Sequence, residues 1–198
     1  MALLRQRPYR AARITVVDRF LAATLLTLFP RRVVPNHLTI FRLFTVPFIA
    51  YLIVVNEFLY GTILFAVSAF TDALDGAMAR TRGQITEWGT LFDPLADKLL
   101  IGITAIILIP KYLSAPLAFA IIFIEMVLIG SAYYFRNREG AVIQANVWGK
   151  SKMLFQSFGI GFLFLHGLTG MAFALTIAAP LLYIAIILAV VSVVTYGI

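Results

Sequence analysis

Six apolar runs, each close to the length of a bilayer-crossing helix, constrain this chain more than anything else in it. They cover roughly residues 38–55, 60–80, 90–110, 115–135, 148–168 and 171–196 of a 198-residue sequence. A hydrocarbon core about 30 Å thick takes about 20 apolar residues per helix, and its backbone polar groups must be satisfied internally. Hydrophobic residues make up 62% of the chain and charged residues 13%. A soluble domain carries about 25% charged residues, so a water-soluble fold is excluded. The expected fold is an all-α integral membrane protein with six transmembrane helices. Breaks at Asn56-Glu57, Arg82-Gly83, Lys111, Arg136–Gly140 and His166–Gly170 separate the runs.

Ahead of the first run, residues 14–29 (ITVVDRFLAATLLTLF) are short for a span and carry Asp18 and Arg19. They are expected to form an amphipathic helix lying in the membrane interface. The chain then divides into a cytoplasmic N-terminal segment, 1–34, and a membrane domain, 35–198. The basic opening lacks the apolar core and cleavage site of a signal peptide. With no cysteine in the sequence, disulfides and thiolate metal sites do not arise.

The distribution of the net charge of +7 explains its purpose. Arg5, Arg7, Arg10, Arg13, Arg19, Arg31 and Arg32 precede the first span; Arg80 and Arg82 fall in the second connection. Arg136, Arg138, Lys150 and Lys152 flank the fourth, whereas the odd-numbered connections contribute only Lys111. This bias puts both termini on the cytoplasmic side, or the matrix side in a mitochondrion. Attraction to anionic lipid accounts for the charge without nucleic acid.

Against that background, four aspartates in residues 68–100 stand out: Asp72, Asp75, Asp93 and Asp97. Spacings of three and four residues put each pair on one face of its own helix. Asp75 lies five residues before Arg80, about 7 Å from the cytoplasmic boundary at 1.5 Å per residue. A charge at the centre of a membrane helix costs about 2.5–3.5 kcal/mol, so four carboxylates need protons, partners or metal. Arg42, Arg80 and Lys98 are the nearby cations. All-oxygen clusters suit Mg²⁺ or Mn²⁺, and two such ions would balance the charge and clamp a phosphoryl group. Asp93 before Pro94 also has the form of a helix N-cap. Capping does not account for the other three.

Written out, the pattern is Asp72-x-x-Asp75-Gly76-x-x-Ala79-Arg80-x8-Gly89-x3-Asp93-x3-Asp97. It resembles the signature of the CDP-alcohol phosphotransferase family at every fixed position. The resemblance implies a six-helix membrane enzyme, commonly a homodimer, that binds two divalent cations, Mg²⁺ or Mn²⁺. Such an enzyme moves a phosphatidyl or similar group from a CDP-linked donor such as CDP-diacylglycerol to an alcohol and releases CMP. By the same resemblance Asp72, Asp75, Asp93 and Asp97 would serve the metals, and Asp97 would take the acceptor's proton. Gly76, Ala79, Arg80 and Gly89 would line the CDP site.

VPNHLTIFRL (34–43) and WGKSK (148–152) look like segments of phosphatidylglycerophosphate synthases and of CDP-lipid-using cardiolipin synthases. They imply glycerol 3-phosphate as acceptor, in a bacterial or mitochondrial inner membrane. Candidate acceptor contacts are Asn36, Thr39 and Arg42, spaced every three residues, with Glu125, Lys150 and Lys152. Two departures, Ile124 where these synthases usually have arginine and Met153 where they tend to have threonine, keep phosphatidylglycerol and inositol phosphate open as acceptors. From another class, a cation-coupled transporter also places acids inside a membrane.

Overall fold

The computed structural model describes residues 15–27, 29–30, 33–84, 86–139 and 147–196. Among these residues all regular structure is helical: α1 (Val16–Ala23), α2 (Pro35–Val54), α3 (Phe58–Arg82), α4 (Glu87–Tyr112), α5 (Ala115–Glu139), α6 (Val147–Thr169) and α7 (Ala172–Tyr196). Three of them, α2, α3 and α7, are long and apolar enough to cross a membrane by length and composition. That is fewer than the six expected. Of the others, α4 carries Asp93, Asp97 and Lys98 and α6 carries Lys150 and Lys152, while α5 is apolar over Ala115–Ser131, as far as its side chains are described. Polar groups, rather than helix length, separate α4 and α6 from α2, α3 and α7.

The helix ends follow the breaks in the sequence. Asn56, Gly83 and Gly170 adopt φ of 65°, 65° and 70°, the left-handed conformation that terminates a helix at little cost when the residue is glycine or asparagine. One expected end moves. α4 begins at Glu87, so Asp93 and Pro94 lie inside the helix and Asp93 is no N-cap. The helix expected at the interface, α1, is also shorter than residues 14–29. It starts at a capping box, with the Thr15 hydroxyl accepting from the Asp18 amide (3.2 Å) and the Thr15 amide donating to Asp18 Oδ2 (2.8 Å). It stops at Ala23. Arg5, Arg7, Arg10, Arg13, Arg31 and Arg32, and the side chains of Arg136 and Arg138, lie outside the described residues.

Two compact units divide the chain: Met1–Phe44 with Val67–Asp97, and Thr45–Ala66 with Lys98–Ile198. In the first, Leu21 and Leu26 pack with Leu38, Leu74, Ala77 and Met78. α1 thus buries Leu21 and leaves Val16 (84%) and Phe20 (65%) exposed, the division expected of a helix lying on lipid. Arg82 secures the chain after α1, its Nη2 donating to the carbonyls of Leu26 (2.8 Å) and Phe29 (3.0 Å).

In the second unit Ile49, Ile53, Leu108, Leu163, Phe164 and Leu182 are wholly buried. α6 packs along α7, and the contact needs glycine at 159. A Cβ there would come within 2.8 Å of the Leu182 side chain.

Candidate functional site

The four aspartates share the first unit with Arg42, and Arg42 is the centre of their arrangement. Its side chain is fully buried. Nη1 pairs with Asp72 Oδ1 at 3.1 Å and with Asp97, and Nη2 pairs with Asp75 Oδ2 at 2.6 Å. One residue of α2 therefore binds carboxylates from both forks, on α3 and α4. The fourth acid, Asp93, accepts from the hydroxyl of Thr39 at 2.5 Å. Thr39 lies three residues before Arg42, so the two side chains sit on one face of α2.

Asn36 extends this face to the end of α2. Its Oδ1 accepts from the Thr86 hydroxyl at 2.8 Å, and that hydroxyl in turn accepts from the Gly89 amide at 2.9 Å. A Cβ at position 89 would sit 3.0 Å from Thr86 Oγ1, 3.1 Å from Asn36 Oδ1 and 3.5 Å from Asp93 Oδ2. Gly89 is therefore the bare floor of a ring of oxygens. The spacing of Asn36, Thr39 and Arg42 pointed to acceptor contacts. In the structure it is the register by which α2 meets the acidic cluster.

Exposure grades the acids. Asp75 is 2% exposed, Asp97 18% and Asp72 47%. Asp72 marks the open side of the cluster and Asp75 its closed side.

Arg80, Gly76 and Asp18 form a second arrangement in the same unit. The Arg80 guanidinium folds back over Gly76, where a Cβ would meet Nη2 at 3.0 Å and Nη1 at 3.1 Å. Its Nε and Nη2 donate to the two carboxylate oxygens of Asp18 at 2.9 and 2.7 Å. That hydrogen bonding, reinforced by the Thr15 amide and hydroxyl, outweighs burial and holds the Asp18 carboxyl down at about 2. Asp18 was not among the residues expected here. The T-V-V-D capping box was its only local signal, and nothing in it indicates an arginine 62 residues away. Ala79 is half-buried on the same helix.

Glu125, Lys150 and Lys152 belong to the second unit. Lys152, itself buried, pairs with Glu125, while Lys150 is exposed. Glu125 Oε2 and the neighbouring Gln156 Nε2 are buried without a hydrogen-bond partner. They face a tight space lined also by Ile121, Ile124 and Ala189. The polar contact of Glu125 is a link between α5 and α6.

No group of three or more acidic, histidine or cysteine side chains is disposed around a common metal position among the described residues. The reason is visible: three of the carboxylates turn onto Arg42. The donor chemistry nonetheless fits hard divalent cations. All donors are oxygens, they come from two helices, and one buried guanidinium does not balance four carboxylates.

An apolar helical fold with an oxygen-rich acidic cluster, Asp72, Asp75, Asp93 and Asp97, defines a membrane protein suited to phosphate chemistry. The chain belongs to the CDP-alcohol phosphatidyltransferase family, whose model matches residues 32–195. Dependence on divalent cations is general in that family. Among similar proteins, the CDP-diacylglycerol–glycerol-3-phosphate 3-phosphatidyltransferase of Haemophilus influenzae is 34% identical over 174 residues, 82% of this chain and 90% of that protein. The protein of the same name from Rickettsia typhi is 42% identical over 80 residues, 39% of this chain and 45% of that protein. The match thus spans under half the length of the Rickettsia relative. Human cardiolipin synthase (CMP-forming) is 36% identical over 107 residues, 53% of this chain and 36% of that protein. Membership in a transferase family leaves the transporter alternative without support.

Proposed function

We propose that this protein transfers a phosphatidyl group from CDP-diacylglycerol to glycerol 3-phosphate, giving phosphatidylglycerophosphate and CMP. The observation that carries the reading is the convergence of Asp72, Asp75 and Asp97 on one buried point, with Asp93 held beside Thr39. The names of the Haemophilus and Rickettsia relatives supply the donor and the acceptor. Asp72, Asp75, Asp93 and Asp97 would hold two divalent cations, Mg²⁺ or Mn²⁺. When bound, these supply charge neutralisation of the diphosphate, polarisation of the attacked phosphorus and stabilisation of departing CMP.

The chain's own groups do the rest. Asp97 accepts the proton of the acceptor hydroxyl as its oxygen bonds to the lipid-bearing phosphorus. The bond from that phosphorus to CMP breaks, and CMP leaves as the anion. Gly76, Ala79, Arg80 and Gly89 line the CDP-binding face, where the missing side chain of Gly76 gives the Arg80 guanidinium its place. The acceptor contacts of this reading are Asn36, Thr39 and Arg42 on α2, with Glu125, Lys150 and Lys152 in the second unit.

In the same reading α2–α7 are the six spans and α1 rests on the interface. Residues 1–34 form the cytoplasmic segment and 35–198 the membrane domain, with the site and both termini facing the cytoplasm or matrix. The protein works as a homodimer in a bacterial or mitochondrial inner membrane. A second acceptor, phosphatidylglycerol, is favoured by the human cardiolipin synthase match and by Ile124, which stands where an acceptor-phosphate arginine is expected.

The test is CMP release from CDP-diacylglycerol by the purified protein with Mg²⁺ or Mn²⁺. Glycerol 3-phosphate, phosphatidylglycerol, inositol phosphate and serine are offered separately. Turnover with glycerol 3-phosphate supports the proposal. Turnover only with phosphatidylglycerol makes the protein a cardiolipin synthase, and no turnover with any acceptor overturns the reading.

A further inference from the structure

The Asp18–Arg80 pair lies partly outside the family match, which begins at residue 32. Asp18 is 2% exposed and Arg80 32%, so the acid is enclosed and the arginine keeps one open side. A bidentate carboxylate fixes a guanidinium in both position and plane. Of the five N–H donors of an arginine, the contacts through Nε and Nη2 use two. The Nη1 end and the second Nη2 hydrogen remain for an anionic oxygen. The guanidinium itself fills the room left by the absent Cβ of Gly76, with Nη2 and Nη1 at 3.0 and 3.1 Å from where that atom would stand. Four residues earlier on the same face of α3 is Asp72, the exposed acid of the cluster.

Asp18 is itself fixed. Two hydrogen bonds of the capping box tie it to Thr15, and Leu21 anchors the helix in the apolar cluster with Leu74 and Met78. A free arginine at position 80 would lose side-chain freedom on binding a phosphate. Here that ordering has already taken place.

We propose that Asp18 is a positioning residue for the CDP-linked donor: the interfacial helix α1 holds Arg80 over Gly76 so that its outward N–H groups receive the donor's diphosphate. The proposal rests on the donor-site reading of Arg80 given above. It makes α1 a working part of the site rather than a membrane anchor, and it assigns the role to a residue that precedes the family match.

The test is a double-mutant cycle on the full-length protein in mixed micelles, using CMP release with Asp18→Asn, Arg80→Ala and the pair together. Asp18→Asn is expected to raise KM for CDP-diacylglycerol about tenfold, the scale of one charge-assisted hydrogen bond, and to leave KM for the acceptor and kcat within twofold. In the Arg80→Ala background it should add nothing, because its effect passes through Arg80. Thr15→Ala, which removes one of the two capping-box bonds to Asp18 and keeps both charged side chains, should shift the donor KM in the same direction by less, and serves if Asp18→Asn does not fold. Effects of Asp18→Asn and Arg80→Ala that multiply overturn the inference. So does a lowered thermal midpoint with an unchanged donor KM. Absence of wild-type turnover removes the donor-site reading and this inference together, whereas wild-type turnover with an unmoved donor KM in the variants removes this inference alone.

Discussion

The two buried ionic groups of this molecule differ in one respect that matters more than burial. In the second unit, Lys152 and Glu125 meet one to one, and the pair is neutral. In the first, a single fully buried guanidinium faces Asp72, Asp75 and Asp97, with Asp93 beside them on Thr39. A balanced pair between helices is a joint, and apolar residues of similar volume can replace such pairs with little loss or even a gain. An unbalanced cluster has no such substitute. Its surplus negative charge must be met by protons or by cations from outside the chain, and it is the surplus that separates a site from a joint.

The sharpest way to break this contrast is Asp97→Asn. If the cluster does the chemistry, CMP release should fall by about a thousandfold, within the range for removal of a general base. CDP binding, followed by calorimetry, should stay largely intact; loss of CDP binding as well would make Asp97 chiefly a metal ligand.

Next in size is Arg42→Met, which leaves buried carboxylates unpaired. A loss of about 3–5 kcal/mol is expected in chelator-treated protein. Thermal unfolding in detergent would show it, and added Mn²⁺ should restore most of the loss because metal supplies the missing charge. Unfolding that Mn²⁺ leaves unmoved would mean that Arg42 is a structural rivet and the acids no metal site.

Lys152→Met should cost less, about 1–3 kcal/mol, through the unpaired Glu125. Adding Glu125→Leu should recover most of that stability, because apolar residues can replace a one-to-one pair.

The smallest effect is on acid stability. The folded Asp18 carboxyl sits at about 2 against an ordinary 3.8. Its contribution is complete above the ordinary value and drains away as pH falls from about 4 towards 2. In Asp18→Asn the thermal midpoint should fall less steeply across that interval than in the unaltered protein.

These contrasts also mark what a sequence of this kind discloses. Spacing within one helix was legible: Asp72 with Asp75, Asp93 with Asp97, and Asn36-x-x-Thr39-x-x-Arg42 each share a face because helical periodicity alone decides it. Breaks at Asn56, Gly83 and Gly170 were legible because local backbone conformation favours those residues there. Partnerships across long stretches of chain were not. Arg42 pairs with acids 30, 33 and 55 residues away, and interfacial snorkelling predicts the same arginine equally well. Asp18 was legible as part of an amphipathic helix but not as the partner of Arg80. The six apolar runs and the amphipathic stretch ahead of them correspond to the seven helices among the described residues, of which three pass as spans on composition. The acids and lysines that equip α4 and α6 also dilute the apolar signal by which spans are recognised.

Arg42 bears as well on the order in which such a protein is made. A newly synthesised chain must deliver its acidic helices into the bilayer before any ion has been selected for them, and bare carboxylates would oppose that delivery. Because α2 leaves the ribosome ahead of α3 and α4, the guanidinium is already waiting when the aspartates arrive. The first counter-charge is thus encoded upstream of the acids it receives, and the charge that remains can be met after insertion.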